Sequence, residues 1–129
     1  MNRRVEWAAR VLAAAFLLLM VLMVLAAARG EARGCKSRVC KARVWHRHQR
    51  AIVAPYAVIL ARIRACESRG RYGIATGNGF FGAYQFDVRT WLSVGGRGLP
   101  SQWGRLEQDY RAALLYRRSG PGPWPVCGR

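Results

Sequence analysis

Residues 66–86 read CESRGRYGIATGNGFFGAYQF, and this stretch decides the fold of the chain. It joins the end of an apolar helical pattern to a glycine-rich turn, and Glu67 lies at the junction. A carboxyl group at such a helix end, against aromatic and aliphatic neighbours, is partly desolvated. Desolvation disfavours the carboxylate and raises its pKa, which suits a general acid at neutral pH. Glu67 is therefore the candidate catalytic residue, and a solvated glutamate at a helix terminus is the competing interpretation.

The residues before Glu67 predict an amphipathic helix. Pro55 suits a first helical turn. Apolar side chains then recur every three or four residues, at Tyr56, Ile59, Leu60, Ile63 and Cys66. Because Glu67 comes four residues after Ile63, we expect it on the buried edge of the last turn. Gly70 and Gly73 then break the helix.

Three further signals complete the predicted fold. The Asn78-Gly79 pair predicts a short β-hairpin. Asp87 is expected to cap a short helix, although its position also suggests a second catalytic carboxylate. A last helix is predicted to end near Ser119 and Gly120. The expected fold class is α+β and predominantly helical, a small domain with one short hairpin.

The segment from Cys66 to Trp91 resembles the catalytic domain of the resuscitation-promoting factors, a branch of the lysozyme-like lytic transglycosylases. The similar elements occur in the family order: Cys66-Glu67-Ser68, Thr76-Gly77-Asn78-Gly79-Phe80-Phe81-Gly82, Gln85-Phe86, Thr90-Trp91, Gly95-Gly96 and Trp124-Pro125-Val126-Cys127. The resemblance covers residues 55–129. The chain departs from the family pattern at Arg69, Arg71 and Tyr84, where the family usually has glycine, asparagine and a small or aliphatic residue.

The resemblance implies a small lysozyme-like domain that cleaves peptidoglycan glycan strands, as a lytic transglycosylase or muramidase without a cofactor. It implies that Glu67 is the single general acid and base. The residues expected to bind substrate are Asn78, Tyr84, Gln85, Thr90 and Trp124. Local hydrogen bonding is the alternative role of Gln85 and Thr90, and covering the core is that of Trp124. A weakly active or inactive peptidoglycan-binding module is the alternative function.

The N-terminus predicts export. Residues 11–28 are uncharged and apolar, and they follow Arg3, Arg4 and Arg10. A basic flank before an apolar run is typical of an export signal. The run also nearly spans a bilayer, so residues 1–28 are either a cleaved signal peptide or an N-terminal membrane anchor. The chain is accordingly expected to be secreted or associated with the cell envelope.

The charge of the chain indicates anionic partners. The formal net charge is +16 over 129 residues, which suffice for one small domain. Such a chain binds polyanions, so an anionic wall polymer or a membrane surface is a candidate partner. The other expected partners are peptidoglycan and a partner wall hydrolase. Nucleic acid is not expected, because the export signal and the cysteines indicate a location outside the cytoplasm. Residues 29–54 are predicted to be a basic linker, solvated and partly disordered, before the domain at 55–129.

Four cysteines indicate disulfides in an exported chain, and four allow three connectivities. The resemblance implies the pair Cys66–Cys127, which would staple the domain. Cys35 and Cys40 would then pair locally or stay free. A zinc site with His46 and His48 fits no ligand spacing well, so no metal is predicted.

Overall fold

The computed structural model describes residues 13–23 and 35–129. Residues 13–23 are helical (α1), and the remainder of the predicted export segment, 11–12 and 24–28, lies outside the described residues. None of the helices in the described ranges combines the length and apolar character that crossing a membrane requires. The chain divides between Val44 and Trp45 into two units.

A disulfide and a helix begin the second described range. Cys35 and Cys40 are bonded, which is the local pairing that the sequence left open. Helix α2 spans Arg38–Val53. Its first turn is supported by Ser37, whose hydroxyl oxygen accepts a hydrogen bond of 3.1 Å from the backbone N–H of Cys40.

The second unit begins within α2. Trp45 packs edge-on against Tyr110, with 5.5 Å between the ring centroids. Gln49 is only 2% exposed, and its amide donates a hydrogen bond to Glu107. The structure therefore differs from the predicted linker over 29–54, of which 29–34 lie outside the described residues. The later part of that segment is helical and packs into the domain.

The rest of the second unit is mostly helical, in this order: a 3-10 turn Ala54–Tyr56, α3 (Ala57–Ser68), α4 (Val88–Ser93), a 3-10 turn Pro100–Gln102 and α5 (Arg105–Ser119). Helix α3 follows the apolar pattern seen in the sequence, with Leu60 and Ile63 fully buried. Helix α5 ends at Ser119, with Gly120 as its C-cap, as predicted.

The predicted β-hairpin is not confirmed. The described residues contain no strand, only isolated antiparallel bridges between Ala75 and Phe81 and between Phe81 and Phe86. The backbone has positive φ at Gly77, Gly79 and Gly82. Left-handed conformations at such short intervals turn the chain repeatedly, so a continuous ladder of paired residues does not form.

The core lies between α3, α4, α5 and the C-terminal tail. Its buried members are Leu60, Ile63, Ala83, Tyr84, Phe86, Trp91, Val94, Ala112, Ala113, Leu115, Trp124 and Cys127. The disulfide Cys66–Cys127 is confirmed, with 5.7 Å between the Cα atoms. It ties the last turn of α3 to the end of the chain.

Candidate active site

Glu67 lies in the last turn of α3 and is half-buried. Burial desolvates its carboxyl group and raises its pKa above the ordinary value. Its carboxyl group makes no hydrogen bond or ion pair with any other described residue. The protonated form of Glu67 is therefore more accessible than that of a solvated glutamate, which is the direction expected from the sequence.

The other three carboxyl side chains of the described residues all have protein partners. Asp87 caps α4 by accepting a hydrogen bond of 2.9 Å from the backbone N–H of Thr90. Hydrogen bonds from Thr90 hold the pKa of Asp87 below its ordinary value. Glu107 pairs with Arg111 at 2.6 Å. Asp109 accepts hydrogen bonds from two tyrosine hydroxyls. Glu67 alone among the four is without a protein partner.

The neighbours of Glu67 fix the end of α3. Cys66 is held by its disulfide to Cys127. On the other side, the buried Ser68 hydroxyl donates a hydrogen bond of 2.8 Å to the carbonyl oxygen of Ala83. The Ser68 oxygen also accepts from the backbone N–H of Arg71 at 3.1 Å. Glu67 is thus placed between two anchored residues, which limits the movement of its backbone.

Arg69 ends the helix in the left-handed conformation, with φ 57° and ψ 33°. Its N–H bonds the carbonyl of Ala65 at 3.0 Å, and the N–H of Gly70 bonds that of Arg64 at 2.9 Å. This is the position where the family resemblance has glycine. A side chain costs roughly 1–2 kcal/mol in that conformation.

We expect Arg69→Gly to raise the free energy of unfolding by about 1 kcal/mol, since part of the relieved strain is offset by the greater entropy of glycine in the unfolded chain. Urea unfolding measures the change. Arg71→Gly is the matched control, because Arg71 has no positive φ and its guanidinium donates to the Ser68 carbonyl at 3.0 Å. The control should lose stability. Equal effects of the two substitutions would show that backbone strain at Arg69 is not the cause.

A cleft of about 220 Å³ opens beside the turn that follows α3. It is lined by Phe80, Tyr84, Gln85, Phe86, Asp87, Thr90, Leu115, Pro123 and Trp124. Glu67 is not among the lining residues. The next residue, Ser68, is hydrogen-bonded to Ala83, and Ala83 directly precedes the cleft residue Tyr84, which connects the end of α3 to the cleft. Four predicted site residues thus line the cleft, while Glu67 and Asn78 do not.

Three of the predicted substrate-binding residues are accessible. Gln85 has a positive φ of 49°, and its amide donates to the Gly82 carbonyl at 3.0 Å. The side chain of Thr90 is half-exposed at the cleft. Asn78 is exposed at the turn, where its side-chain oxygen accepts hydrogen bonds from Thr76 and from the backbone of Phe80. Local hydrogen bonding, the alternative role of Gln85 and Thr90, is present at both, through Gly82 and Asp87 respectively, and the side-chain oxygen of Asn78 is used locally as well.

Tyr84 and Trp124 reach the cleft but are buried, at 0% and 4% exposure. The Trp124 indole donates a hydrogen bond of 2.9 Å to the Tyr84 carbonyl, and its ring packs against Phe86. A platform for a sugar needs an exposed ring face, which Trp124 does not offer. Both residues belong to the core, which is the alternative role that the sequence gave to Trp124, and both also line the cleft.

A buried polar network, not identified in the sequence, holds the turn against α5. Asp109 accepts hydrogen bonds from Tyr72 at 2.7 Å and from Tyr84 at 2.5 Å, and it lies 3.9 Å from Arg64. Desolvation, followed by the bond to Asp109, raises the pKa of Tyr72 to about 12 and also raises that of Tyr84. Both tyrosines therefore stay neutral donors at physiological pH. The departure from the family pattern at Tyr84 has this structural role.

Gln108 is a second missed anchor. Its oxygen accepts from the Ala83 N–H at 2.9 Å, and its amide donates to the carbonyls of Tyr72 and Trp103 at 2.9 and 2.8 Å. The chain passes so close at Gly82 that a Cβ there would overlap the Gln108 side chain. The sequence does carry a signal, because Gln108 shares one helix face with Ala112 and Leu115.

The raised pKa of Glu67 predicts a pH-dependent stability. The folded chain holds this proton more tightly than the unfolded chain, so Glu67 lowers stability as the pH rises through the raised pKa. Glu67→Gln removes that cost. We expect its melting temperature to exceed that of the wild type at pH 7 and the difference to shrink below the pKa of an ordinary glutamate. A difference that is independent of pH would contradict the desolvation of Glu67.

Comparison with known proteins identifies the family of the domain. Residues 54–127 match the family model of the transglycosylase-like domain. The chain is 46% identical over 68 residues to resuscitation-promoting factor Rpf of Micrococcus luteus, an alignment that covers 53% of this chain and 30% of the relative. It is 42% identical over 74 residues to resuscitation-promoting factor RpfE of Mycobacterium tuberculosis, covering 57% and 43%.

The chain therefore belongs to the transglycosylase-like domain family, because the model matches more than half of it. Within that family its domain is of the resuscitation-promoting factor type, which confirms the resemblance noted in the sequence. The chain spans less than half the length of these two relatives.

Proposed function

We propose that the chain cleaves the glycan strand of peptidoglycan, with Glu67 as its single general acid and base. The observation that carries the proposal is the state of Glu67. It is the one carboxyl side chain of the described residues without a protein partner, and burial raises its pKa. A carboxyl group with a raised pKa keeps its proton to a higher pH than an ordinary glutamate, and one that no described protein group occupies is free to donate it to a glycosidic oxygen. The family of the domain supports the same reaction class.

The proposed reaction has two proton transfers. Glu67 protonates the oxygen of the scissile bond, and the bond to the anomeric carbon breaks. The carboxylate so formed then removes a proton from the sugar's own 6-hydroxyl, which closes an anhydro ring, or from water, which gives hydrolysis. Asp87 is committed to capping α4, so it does not serve as a second catalytic carboxylate. The acetamido group of the substrate would stabilise the oxocarbenium intermediate instead.

Gln85, Thr90 and Asn78 are the residues that we propose to bind substrate. Gln85 and Thr90 line the cleft, where an amide and a hydroxyl suit sugar hydroxyl or acetamido groups. Asn78 is exposed on the glycine-rich turn that precedes Gln85 in the chain.

The second candidate function is a binding module without turnover. Arg69 favours it, because the residue after Glu67-Ser68 is strained where the family resemblance has glycine. Incubation of the full-length chain with purified peptidoglycan separates the two functions. Release of soluble muropeptide-bearing fragments supports the enzyme, whereas sedimentation with peptidoglycan from which no fragments are released supports the binding module.

The proposed place of action is the cell envelope. Residues 11–28 would export the chain and then either be cleaved or anchor it. A partner wall hydrolase would act on the same polymer and cleave its peptide cross-links, since those bonds need a different chemistry from the glycan strands.

The basic surface is expected to bind anionic wall polymer. Residues 55–129 hold eleven arginines and four acidic residues. Nine of these arginines are exposed: Arg62, Arg69, Arg71, Arg89, Arg97, Arg105, Arg117, Arg118 and Arg129. Arginine binds carboxylate and phosphate through paired hydrogen bonds.

We expect sedimentation with isolated cell wall to fall steeply as salt rises from about 0.15 M to 1 M, where the Debye length shrinks from about 8 Å to about 3 Å. Glutamine at the exposed basic residues Lys36, Arg38, Lys41 and Arg43 should weaken binding further and spare cleavage of short soluble glycans. Binding that responds to neither change would place the wall contacts in the cleft.

A further inference from the structure

A second hollow, of about 260 Å³, lies apart from the cleft. It is lined by Trp45, Gly95, Arg97, Trp103, Glu107 and Arg111. The second hollow shares no lining residue with the cleft. The cleft includes Asp87, the N-cap of α4, whereas the second hollow includes Gly95, which follows the C-terminal end of that helix. The two hollows are therefore separate sites on the same unit.

Two half-exposed tryptophans give this hollow its character. Trp45 is 43% exposed and Trp103 is 39% exposed. Trp103 also lines an adjoining hollow of about 260 Å³ with Arg97, Gly98 and Gln102, so its side chain borders two hollows. The Trp103 indole N–H is bonded to the Arg97 carbonyl, which fixes the ring. Large exposed indole rings held in place are typical of ligand contact, because they offer apolar area at little entropic cost.

The charged groups of the hollow differ in what they contact. Arg111 is committed, with its guanidinium bonded to Glu107 at 2.7 Å and to the Val94 carbonyl at 2.6 Å. Glu107 also accepts from Gln49. The Arg97 side chain makes no hydrogen bond or ion pair with another residue of the described ranges, and Arg97 is exposed. The hollow thus presents indole surface beside an arginine that has no counterion among the described residues.

We propose that this hollow binds an acidic saccharide, a sugar ring that carries a carboxylate. The apolar C–H face of the ring would lie on the tryptophans, and the Arg97 guanidinium would pair with the carboxylate. The choice of a sugar acid rests on the proposed function, since a glycan strand from which the stem peptides have been removed carries a free lactyl carboxylate on every second sugar. The site would hold the strand at a distance from the cleft and would not take part in the chemistry.

The test follows the indole N–H signals of the ¹⁵N-labelled full-length chain by NMR during titration with N-acetylmuramic acid, and with N-acetylglucosamine as the neutral control. We expect the signals of Trp45 and Trp103 to shift, with about fivefold weaker binding of the neutral sugar because it lacks the ion pair. The signal of Trp124 reports the cleft separately.

Arg97→Gln should abolish the preference for the acidic sugar, whereas Arg117→Gln, an exposed arginine outside the hollow, should leave it unchanged. Trp103→Phe should retain more binding than Trp103→Ala. Equal affinity for both sugars, or shifts confined to Trp124, would overturn the proposal. Because no bond is cleaved in this titration, its result is independent of whether the chain turns over peptidoglycan.

Discussion

Replacing Glu67 with glutamine is expected to lower the rate of glycan cleavage by at least about two to three powers of ten. Glutamine keeps the size and polarity of the side chain but has no acidic proton to give to the glycosidic oxygen. Release of reducing or anhydro ends from soluble glycan strands measures the rate. The folded state should persist, because the Glu67 carboxyl group makes no bond to the described residues that the substitution would break.

Glu67→Asp is the informative companion variant. It keeps the acid but withdraws the carboxyl group by one methylene, so we expect measurable residual activity above that of Glu67→Gln. If Glu67→Gln retains a rate near that of the wild type, Glu67 is not the acid. In that case the binding module becomes the better account of the domain.

Removing the Cys66–Cys127 disulfide should have the largest effect on stability. The two cysteines are 61 residues apart, and closing a loop of that size stabilises by about 4 kcal/mol in the chain-entropy model. Small domains have only about 5–15 kcal/mol in total. We expect the double serine variant to melt roughly 15–30 °C lower than the wild type, by calorimetry under oxidising conditions.

The second disulfide provides the matched control. Cys35 and Cys40 are five residues apart and lie in the first unit, so their double serine variant should leave the melting of the second unit nearly unchanged. If both double variants melt alike, the bridge next to Glu67 does not constrain the domain.

The sequence predicted the parts of the fold that depend on local pattern. The three- and four-residue spacing gave α3, and Asp87 was expected as the cap of α4, which the structure confirms. The family resemblance implied the Cys66–Cys127 pair. The first two features could be predicted because they depend on residues close together in the chain, and the third because the family motifs occur in order.

Features that depend on distant contacts were not predicted. The segment that forms α2 was expected to be a linker. Its one buried side chain is that of Gln49, a polar residue, and the partner that holds it, Glu107, lies 58 residues away, so the sequence near Gln49 gives no sign of the contact. The hairpin was expected from Asn78-Gly79, but repeated positive φ angles replaced strand pairing with isolated bridges. For Trp124 the sequence left a sugar platform and a cover of the core as alternatives, because its sequence neighbours do not show that Tyr84 and Phe86 pack against it; its burial agrees with the cover.

Mass spectrometry of purified peptidoglycan glycan strands digested by the full-length chain and by its Glu67→Gln variant tests the central claim most directly. Our account predicts shorter strands with new anhydro or reducing ends in the wild-type digest, and undigested strands with the variant. Intact strands in the wild-type digest, or the same new ends in both digests, would contradict it.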